Sequence, residues 1–462
     1  MRAIAAGAAV LACAGSPAAA DTLKWALIQA YQNNPVINGQ RAAVRATDET
    51  VPQALSGYRP RISLSASAGE QYLDSHTKTF VNNKATYAQT SGATGIQSYG
   101  GTVTQNLLNG FGTANRTRQA EQLVSAAREI LRQTEQTVLL NAATAYMNLI
   151  RDAAILDLQR RNVEVLQEQL RQTRDRFNVG EVTRTDVAQA ESRLAAARAQ
   201  MLTAESNFTT SRSTYRQVIG VEPGTLAPAS PVDSLSPRSL PAAVVEARTR
   251  HPAVTTAMFN VDAAQFQVKI AESSLYPSLN LVGSAQQNYG STSALTVLQS
   301  FAGSVVGQLT IPVYQGGTEY ATIRQAKETL SQRRTDLDTA RDQTQQLLTQ
   351  SWGQLEAAKA QIQATTTQVN AAEIALNGVR EEARVGQRTT LDVLNAQQDL
   401  LNARVALVSA QHDRVVNSYQ LLQGIGRLAL ERIAPSSERY DPSVHYQQVR
   451  DLWWGTQVPN GH

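Results

Sequence analysis

The 462-residue sequence holds one cysteine, 7 phenylalanines, 4 tryptophans and 5 histidines, and only 17% of it is charged. A single cysteine excludes a disulfide-stapled scaffold and a zinc-finger protein. The charged fraction falls below the usual level of about a quarter, yet an apolar content of 42% excludes a disordered chain. Lys and Arg number 42 against 38 Asp and Glu, so the net charge of +4 comes from dispersed arginines. There is no basic block of the kind that holds nucleic acid. His76, His251, His412, His445 and His462 include no pair at metal-ligand spacing. No HExxH, P-loop, dinucleotide-binding glycine fingerprint or Gly-x-Ser-x-Gly elbow occurs. An enzyme is therefore not expected, and no cofactor or metal is implied.

The first twenty residues read separately from the rest. Arg2 precedes an apolar run from Ala3 to Ala14, and Gly15-Ser16-Pro17 leads into Ala18-Ala19-Ala20. That is the layout of a signal peptide (1–20) cleaved before Asp21, and the run is too short to anchor the chain in a bilayer. The only cysteine, Cys13, lies inside it. Val10-Leu11-Ala12-Cys13 loosely resembles a lipoprotein site, so lipidation stays open as an alternative.

The remainder is duplicated. Leu23, Ala26, Pro35 and Pro60 recur at an offset of 217 as Leu240, Ala243, Pro252 and Pro277. Gly110, Arg118-Gln119-Ala120, Val179-Gly180, Asp186-Val187 and Ile219-Gly220 recur at an offset of 206, from Gly316 through Ile425-Gly426. The change of offset between Pro60 and Gly110 predicts one longer loop in the first copy. The expected organisation is a first repeat at 21–222 with a β-hairpin at 61–108, and a proline-rich linker at 223–241. A second repeat at 242–430 carries a hairpin at 277–314, and a tail occupies 431–462.

Much of each copy has helical periodicity. Leu348, Leu355, Ile362, Val369, Leu376 and Ala383 recur every seven residues within a proline-free stretch. Leu139, Ala142, Tyr146, Leu149, Ala153 and Leu156 alternate steps of three and four, and Val163, Leu166, Leu170 and Phe177 resume that seam. Val187 to Phe208 and Val393 to Ala410 keep the same spacing. Sustained apolar heptads signal coiled coil. Thr113 to Val179, as one helix, reaches roughly 100 Å. Residues 22–57 and 184–219, at 36 each, would match it end to end. His412 is expected on a surface or lumen face of such a helix.

Other stretches alternate and carry no charge. Ser273 to Thr318 spans 46 residues without Asp, Glu, Lys, Arg or His, and Ala85 to Asn115 spans 31 more. Ile62, Leu64, Ala66 and Ala68 interleave with Ser63, Ser65, Ser67 and Gly69. Leu279, Leu281, Gly283 and Ala285 interleave with Asn280, Val282, Ser284 and Gln286, and a third such run covers 304–313. Small or apolar residues alternating with uncharged polar ones are the pattern of membrane barrel strands, with Leu281 toward lipid and Ser284 toward a lumen. A soluble hairpin would normally carry edge charges. Here Glu70, Asp74, Lys78 and Lys84 sit between the first two strands, where an exterior loop is expected. Four strands cannot close, and open edges are not tolerated in lipid, so two or three chains must share one barrel. A coiled-coil structural protein without a pore, periplasmic or on the cell surface, is the competing reading of the helices alone.

The duplicated segments Phe177-Asn178-Val179-Gly180 to Thr185-Asp186-Val187 and Val385-Gly386-Gln387-Arg388 to Leu391-Asp392-Val393-Leu394-Asn395-Ala396-Gln397 resemble the TolC family of outer-membrane efflux ducts. The resemblance runs from residue 21 to about 430. It implies an α+β membrane protein: a homotrimer whose 12-stranded β-barrel, four strands per protomer, stands on a periplasmic α-helical coiled-coil tunnel with an internal two-fold repeat. Such a duct lies in the outer-membrane lipid of the cell. It meets a periplasmic adaptor (membrane fusion) protein and an inner-membrane pump of the RND or ABC type, in drug efflux or type I secretion. The resemblance places the adaptor-contacting tips at Val179, Gly180, Glu181, Val385, Gly386 and Gln387. It places the entrance constriction at Asp392 and Asn395, held closed by Arg388 through polar links to Thr185 and Asp186. Ala383 stands where the family often has a linking tyrosine, and Asn395 where a second aspartate can occur.

Overall fold

The computed structural model describes residues 21–290 and 299–459. The leader with Cys13, the segment 291–298 and His462 lie outside the described residues. The fold divides into two compact units, which cut across the repeats. Among the described residues, one is built from 21–42, Glu129–Thr255 and Thr339–Tyr440, the other from Ala43–Arg128, 256–290, 299–338 and 441–459.

The helices come in matched sets. In the first copy α1 (Leu23–Asn33), α2 (Pro35–Asp48) and α3 (Thr50–Leu55) precede two strands, followed by α4 (Gly112–Asn178) and α5 (Arg184–Ile219). In the second, α6 (Leu240–Arg250) and α7 (Pro252–Glu272) precede two strands, followed by α8 (Thr318–Arg384) and α9 (Thr390–Ile425). Helices α4 and α8 are 67 residues each, and α5 and α9 are 36 each. Helices α5 and α9 end on Gly220 and Gly426 at φ 89° and 82°, a left-handed conformation that costs glycine nothing. Two short helices follow in the tail, α10 (Leu430–Ile433) and α11 (Ser443–Val449).

The unit holding the tips is sealed by the heptad seams. Leu139, Ala142, Ala143 and Tyr146 of α4 pack with Leu27 and Ala30 of α1, Tyr215 and Ile219 of α5, and Tyr419 and Leu422 of α9. Farther along, Val163, Leu166 and Leu170 meet Ala190, Leu194 and Ala197, while Val369 and Leu376 meet Leu400 and Ala403. Alanine on alternate seam positions lets neighbouring helices approach closely, the requirement of a long two-helix pair with a thin core. Three expectations fail, one of them at Phe177, which is 42% exposed at the end of α4. Ala153 is exposed and Asp152 is buried in its place, its carboxylate held by Ser211 Oγ and by Arg151 Nε at 2.8 Å. His412 is buried rather than superficial, because Nδ1 pairs with Asp413 and Nε2 with Asn148 of α4, each at 2.8 Å.

The other unit holds the sheet: β1 (Arg61–Val81), β2 (Lys84–Asn109), β3 (Ser278–Tyr289) and β4 (Gln299–Thr310), antiparallel in that order. The extra residues of the first copy do not form a loop. They lengthen the β1–β2 hairpin, whose ladder runs on from Gly69↔Ile96 to Val81↔Lys84 as a two-stranded ribbon. Asn82 and Asn83 close it at φ 50° and 65°, the paired positive angles of a two-residue hairpin turn. Glu70, Asp74, Lys78 and Lys84 therefore lie on paired strands, and the charge that suggested a loop is carried by a ribbon beyond the four-stranded part. In the second copy the strand stops at Thr310, before Pro312, which lacks the N–H that would continue the ladder.

Candidate functional site

The tips are helix–turn–helix junctions dictated by local chemistry. Helix α4 ends at Asn178, where Gly180 takes φ 79° and Glu181 N–H donates to Arg176 O at 2.9 Å. Helix α8 ends identically, with Gly386 at φ 77° and Gln387 N–H on Glu382 O at 2.9 Å. Three residues past each glycine a threonine starts the next helix. Thr183 Oγ1 accepts from Asp186 N–H, and Asp186 Oδ2 accepts from Thr183 N–H at 2.9 Å. Thr389 and Asp392 repeat that reciprocal pair, at 3.3 and 3.0 Å. Both junctions satisfy backbone donors that helix starts leave open. The Thr183 hydroxyl and N–H hold the Asp186 carboxyl below the usual range, and the Thr389 N–H and hydroxyl do the same for Asp392. Both aspartates are therefore anions at neutral pH.

The charge arrangement differs between the copies. Arg176 reaches forward to Glu181 at 3.0 Å, whereas Arg388, in the turn, reaches back to Glu382 at 2.8 Å. Within the chain Arg388 Nε is thus bonded to Glu382, and among the described residues no bond joins Arg388 to Thr185 or Asp186. Asn395 is exposed, and its Oδ1 accepts from Arg193 of α5 at 2.8 Å, tying the two copies together just behind the tips. Leu394 beside it is buried in the first copy's seam with Leu166 and Ala190. Val179 and Val385 are 72% and 71% exposed, so each tip presents a bare valine beside its glycine. Glu181, Gly180, Gly386, Gln387 and Thr185 are exposed too. Sequence reading did not find Glu382 or Arg193. A pair six residues apart across a turn, and a contact between helices of different copies, leave no periodic trace.

The sheet, in the other unit, is a separate candidate site. Residues paired across an antiparallel ladder share a face. One row is Ile62, Val103, Gly283 and Val305, and the next on that face is Leu64, Gly101, Ala285 and Gly303. A third is Ala66, Tyr99, Gln287 and Phe301. The rows between them read Ser63, Thr102, Ser284 and Ser304, then Ser65, Gly100, Gln286 and Ala302, then Ser67, Ser98, Asn288 and Ser300. Over these rows one face is mostly small and apolar, interrupted by the Gln287 amide, and the other is mostly hydroxyls and amides, with a mixed row of Arg61, Thr104, Val282 and Val306 at the end next to the helices. Ser284 and Ser304 hydroxyls lie 2.9 Å apart, and Gln286 Nε2 donates to Ser98 Oγ at 2.7 Å. Gly101 leaves room for Leu64 Cδ2, which would sit 3.2 Å from any Cβ placed there. Leu281, with Gln105 and Gly307, lies on the face of Leu64, and Ser284 on the opposite one. Among the described residues no helix is long and apolar enough to cross a membrane, and no group of His, Cys, Asp or Glu could hold a metal ion.

Comparison with known proteins agrees with this arrangement. The outer membrane efflux protein family matches residues 26–221 and 243–427. The chain is similar to the outer membrane efflux protein BepC of Brucella suis, 41% identical over 97% of this chain and 94% of the relative. It is similar to the outer membrane protein TolC of Escherichia coli, 27% identical over 88% of this chain and 83% of the relative. Among solved structures, that of VceC from Vibrio cholerae superposes with a TM-score of 0.72 at 20% identity, covering 87% of this chain and 96% of that one. That likeness is one of fold.

Proposed function

From the premise that this chain belongs to the outer membrane efflux protein family, we propose that it works as a homotrimeric exit duct for a three-part export machine. The protein is an outer-membrane channel of the efflux and type I secretion class, with its helices in the periplasm. The observation that carries the reading is the two-faced sheet. An open four-stranded sheet with an uncharged apolar face can enter lipid only if neighbouring copies pair its β1 and β4 edges. Three copies give twelve strands, with the serine and amide rows toward water inside and the leucine and valine rows toward lipid.

The duct is passive, and no chemical step is assigned to it. Cargo enters where the tips meet. Val179-Gly180-Glu181 and Val385-Gly386-Gln387 form the docking surface for a periplasmic adaptor, which joins the duct to an inner-membrane pump of the RND or ABC class. Asp392 and Asn395 line the entrance. Arg388 is bonded to Glu382 within its own chain, so its closing links to Thr185 and Asp186 are made to a neighbouring protomer. Asp186 supports this, because its cap uses Oδ2 and leaves Oδ1 to accept. Relatives include proteins named for secretion of alkaline protease and for export of pyoverdine, at 26% and 25% identity. Both kinds of cargo therefore fit the class. A cysteine at Val385, cross-linked in intact envelopes, tests the docking assignment. Capture of an adaptor protein is expected, and recovery of adaptor only from a mid-helix cysteine such as Ile374→Cys would contradict it.

A further inference from the structure

The strand ends that adjoin the helices carry a feature that neither the duct nor its tips use. Strands β1 and β3 begin, and β2 and β4 end, at the same side of the sheet. Large exposed side chains crowd there: Tyr58 before β1, Phe111 after β2, Tyr276 before β3 and Tyr314 after β4, 52%, 73%, 57% and 75% exposed.

The C-terminal tail leads to the same place. Helix α11 is pinned by His445 Nδ1 against Asp48 Oδ2 at 3.0 Å, with both side chains almost fully buried. Val449 is buried, and the Tyr446 ring lies under the Arg128 guanidinium at 5.1 Å beside Val51 and Val124. Beyond this dock, Arg59 Nη1 donates to Leu452 O at 2.5 Å, and its guanidinium stacks on the Trp453 ring at 4.8 Å. Arg59 stands two residues before β1, and Ile62 opens the first apolar row. The tail is thereby led to the foot of the lipid-facing sheet and held there by named contacts.

What it delivers is apolar and bare. Leu452 to Pro459 carries no charge. Trp453 is 64% exposed, Trp454 88% and Val458 75%. Two adjacent exposed tryptophans are unfavourable in water, whereas the headgroup boundary of a bilayer suits a ring that is apolar with one N–H to donate. We propose that Leu452–Val458 is a membrane-interface anchor, its Trp454 seated among the phospholipid headgroups and first acyl carbons of the periplasmic leaflet. The occupant follows from continuity. The segment is held by Arg59, three residues before Ile62 of the first lipid-facing row, four exposed aromatics lie at the same strand ends, and the remaining N–H groups of Arg59 can meet phosphates. The inference rests on the outer-membrane reading and adds a contact outside the barrel wall.

The test uses the full chain in phospholipid vesicles, with Trp454 as the only tryptophan (Trp25→Phe, Trp352→Phe, Trp453→Phe). Channel conductance of the same preparation reports the duct separately. Trp454 emission should be strongly quenched by lipids brominated near the headgroup and less by lipids brominated at the chain ends. A variant retaining Trp25 alone should be unaffected. Should the triple variant fail to assemble, Trp454→Cys carrying an environment-sensitive fluorophore gives the same readout. Quenching only by aqueous acrylamide would overturn the proposal, and so would protection from both quenchers, which would mean that a neighbouring subunit covers the ring. In either case preserved conductance leaves the duct reading standing.

Discussion

Replacing Leu64 by arginine tests the facing of all four strands at once. Leu64 is 86% exposed in the single chain and shares its row with Gly101, Ala285 and Gly303, so nothing of the protomer's own covers it. If that face meets acyl chains near the midplane, an arginine there costs about 2–4 kcal/mol. Three copies in one barrel would cost roughly 6–12 kcal/mol, which matches the whole stability of a typical domain. Ser284 lies one row away on the other face, where its hydroxyl hydrogen-bonds that of Ser304. Arginine at Ser284 loses that neutral bond, about 1 kcal/mol, and keeps its charge in water. Heat-modifiable trimers on gels and urea titration in vesicles read the difference. Leu64→Arg should abolish assembly while Ser284→Arg assembles at near wild-type stability. Equal defects, or a larger one for Ser284→Arg, would refute the facing.

The tips and the tail give further tests. Thr183→Ala removes one cap and should loosen the first turn of α5 by about 1 kcal/mol, seen as faster amide exchange at 184–187 with the trimer intact. Because the folded carboxyls of Asp186 and Asp392 titrate below their unfolded value of about 3.9, they contribute stability above that value and lose it as pH falls through the folded one. Tip amide protection should therefore be flat from neutrality to about pH 5 and decline only below about pH 4. Arg388→Ser should raise single-channel conductance by removing a charge-assisted link worth about 1.5–3 kcal/mol per protomer. Asn395→Asp should add little cation block while Arg193 neutralises it, and strong block once Arg193→Ala is combined with it; equal block in both backgrounds would place Asn395 away from the constriction. His445→Ala removes the hydrogen bond to the buried Asp48 Oδ2 and leaves Arg128, 3.9 Å from Oδ1, as the remaining counter-charge; the loss of about 1.5–3 kcal/mol should open the tail to limited proteolysis near Arg450.

Helices and strand facing were legible in the sequence because each follows from a period. The seam from Leu348 to Leu376 recurs as a buried row in which Ile362 alone is half-buried, and the serine–apolar alternation from Ile62 to Ala68 recurs as the two faces of β1. Misreadings occurred where charge and spacing compete with tertiary contacts. Glu70, Asp74 and Lys78 read as loop because a strand in lipid cannot carry them, yet a ribbon outside lipid can. His412 read as exposed because imidazole is polar, but Asn148 and Asp413 satisfy both nitrogens. The buried His445–Asp48 pair joins residues 397 apart, a distance at which no pattern within one element helps. At the tips the glycine–threonine–aspartate chemistry was readable, whereas the partner of Arg388 was decided by the turn's geometry.

The measurement that bears most directly on the central claim is conductance of the purified full-length protein in planar bilayers. A passive outer-membrane duct predicts discrete, long-lived single-channel steps from detergent-solubilised, heat-modifiable trimers, enlarged by Arg388→Ser. A protein that stays in solution without detergent and adds no conductance at any concentration would contradict it.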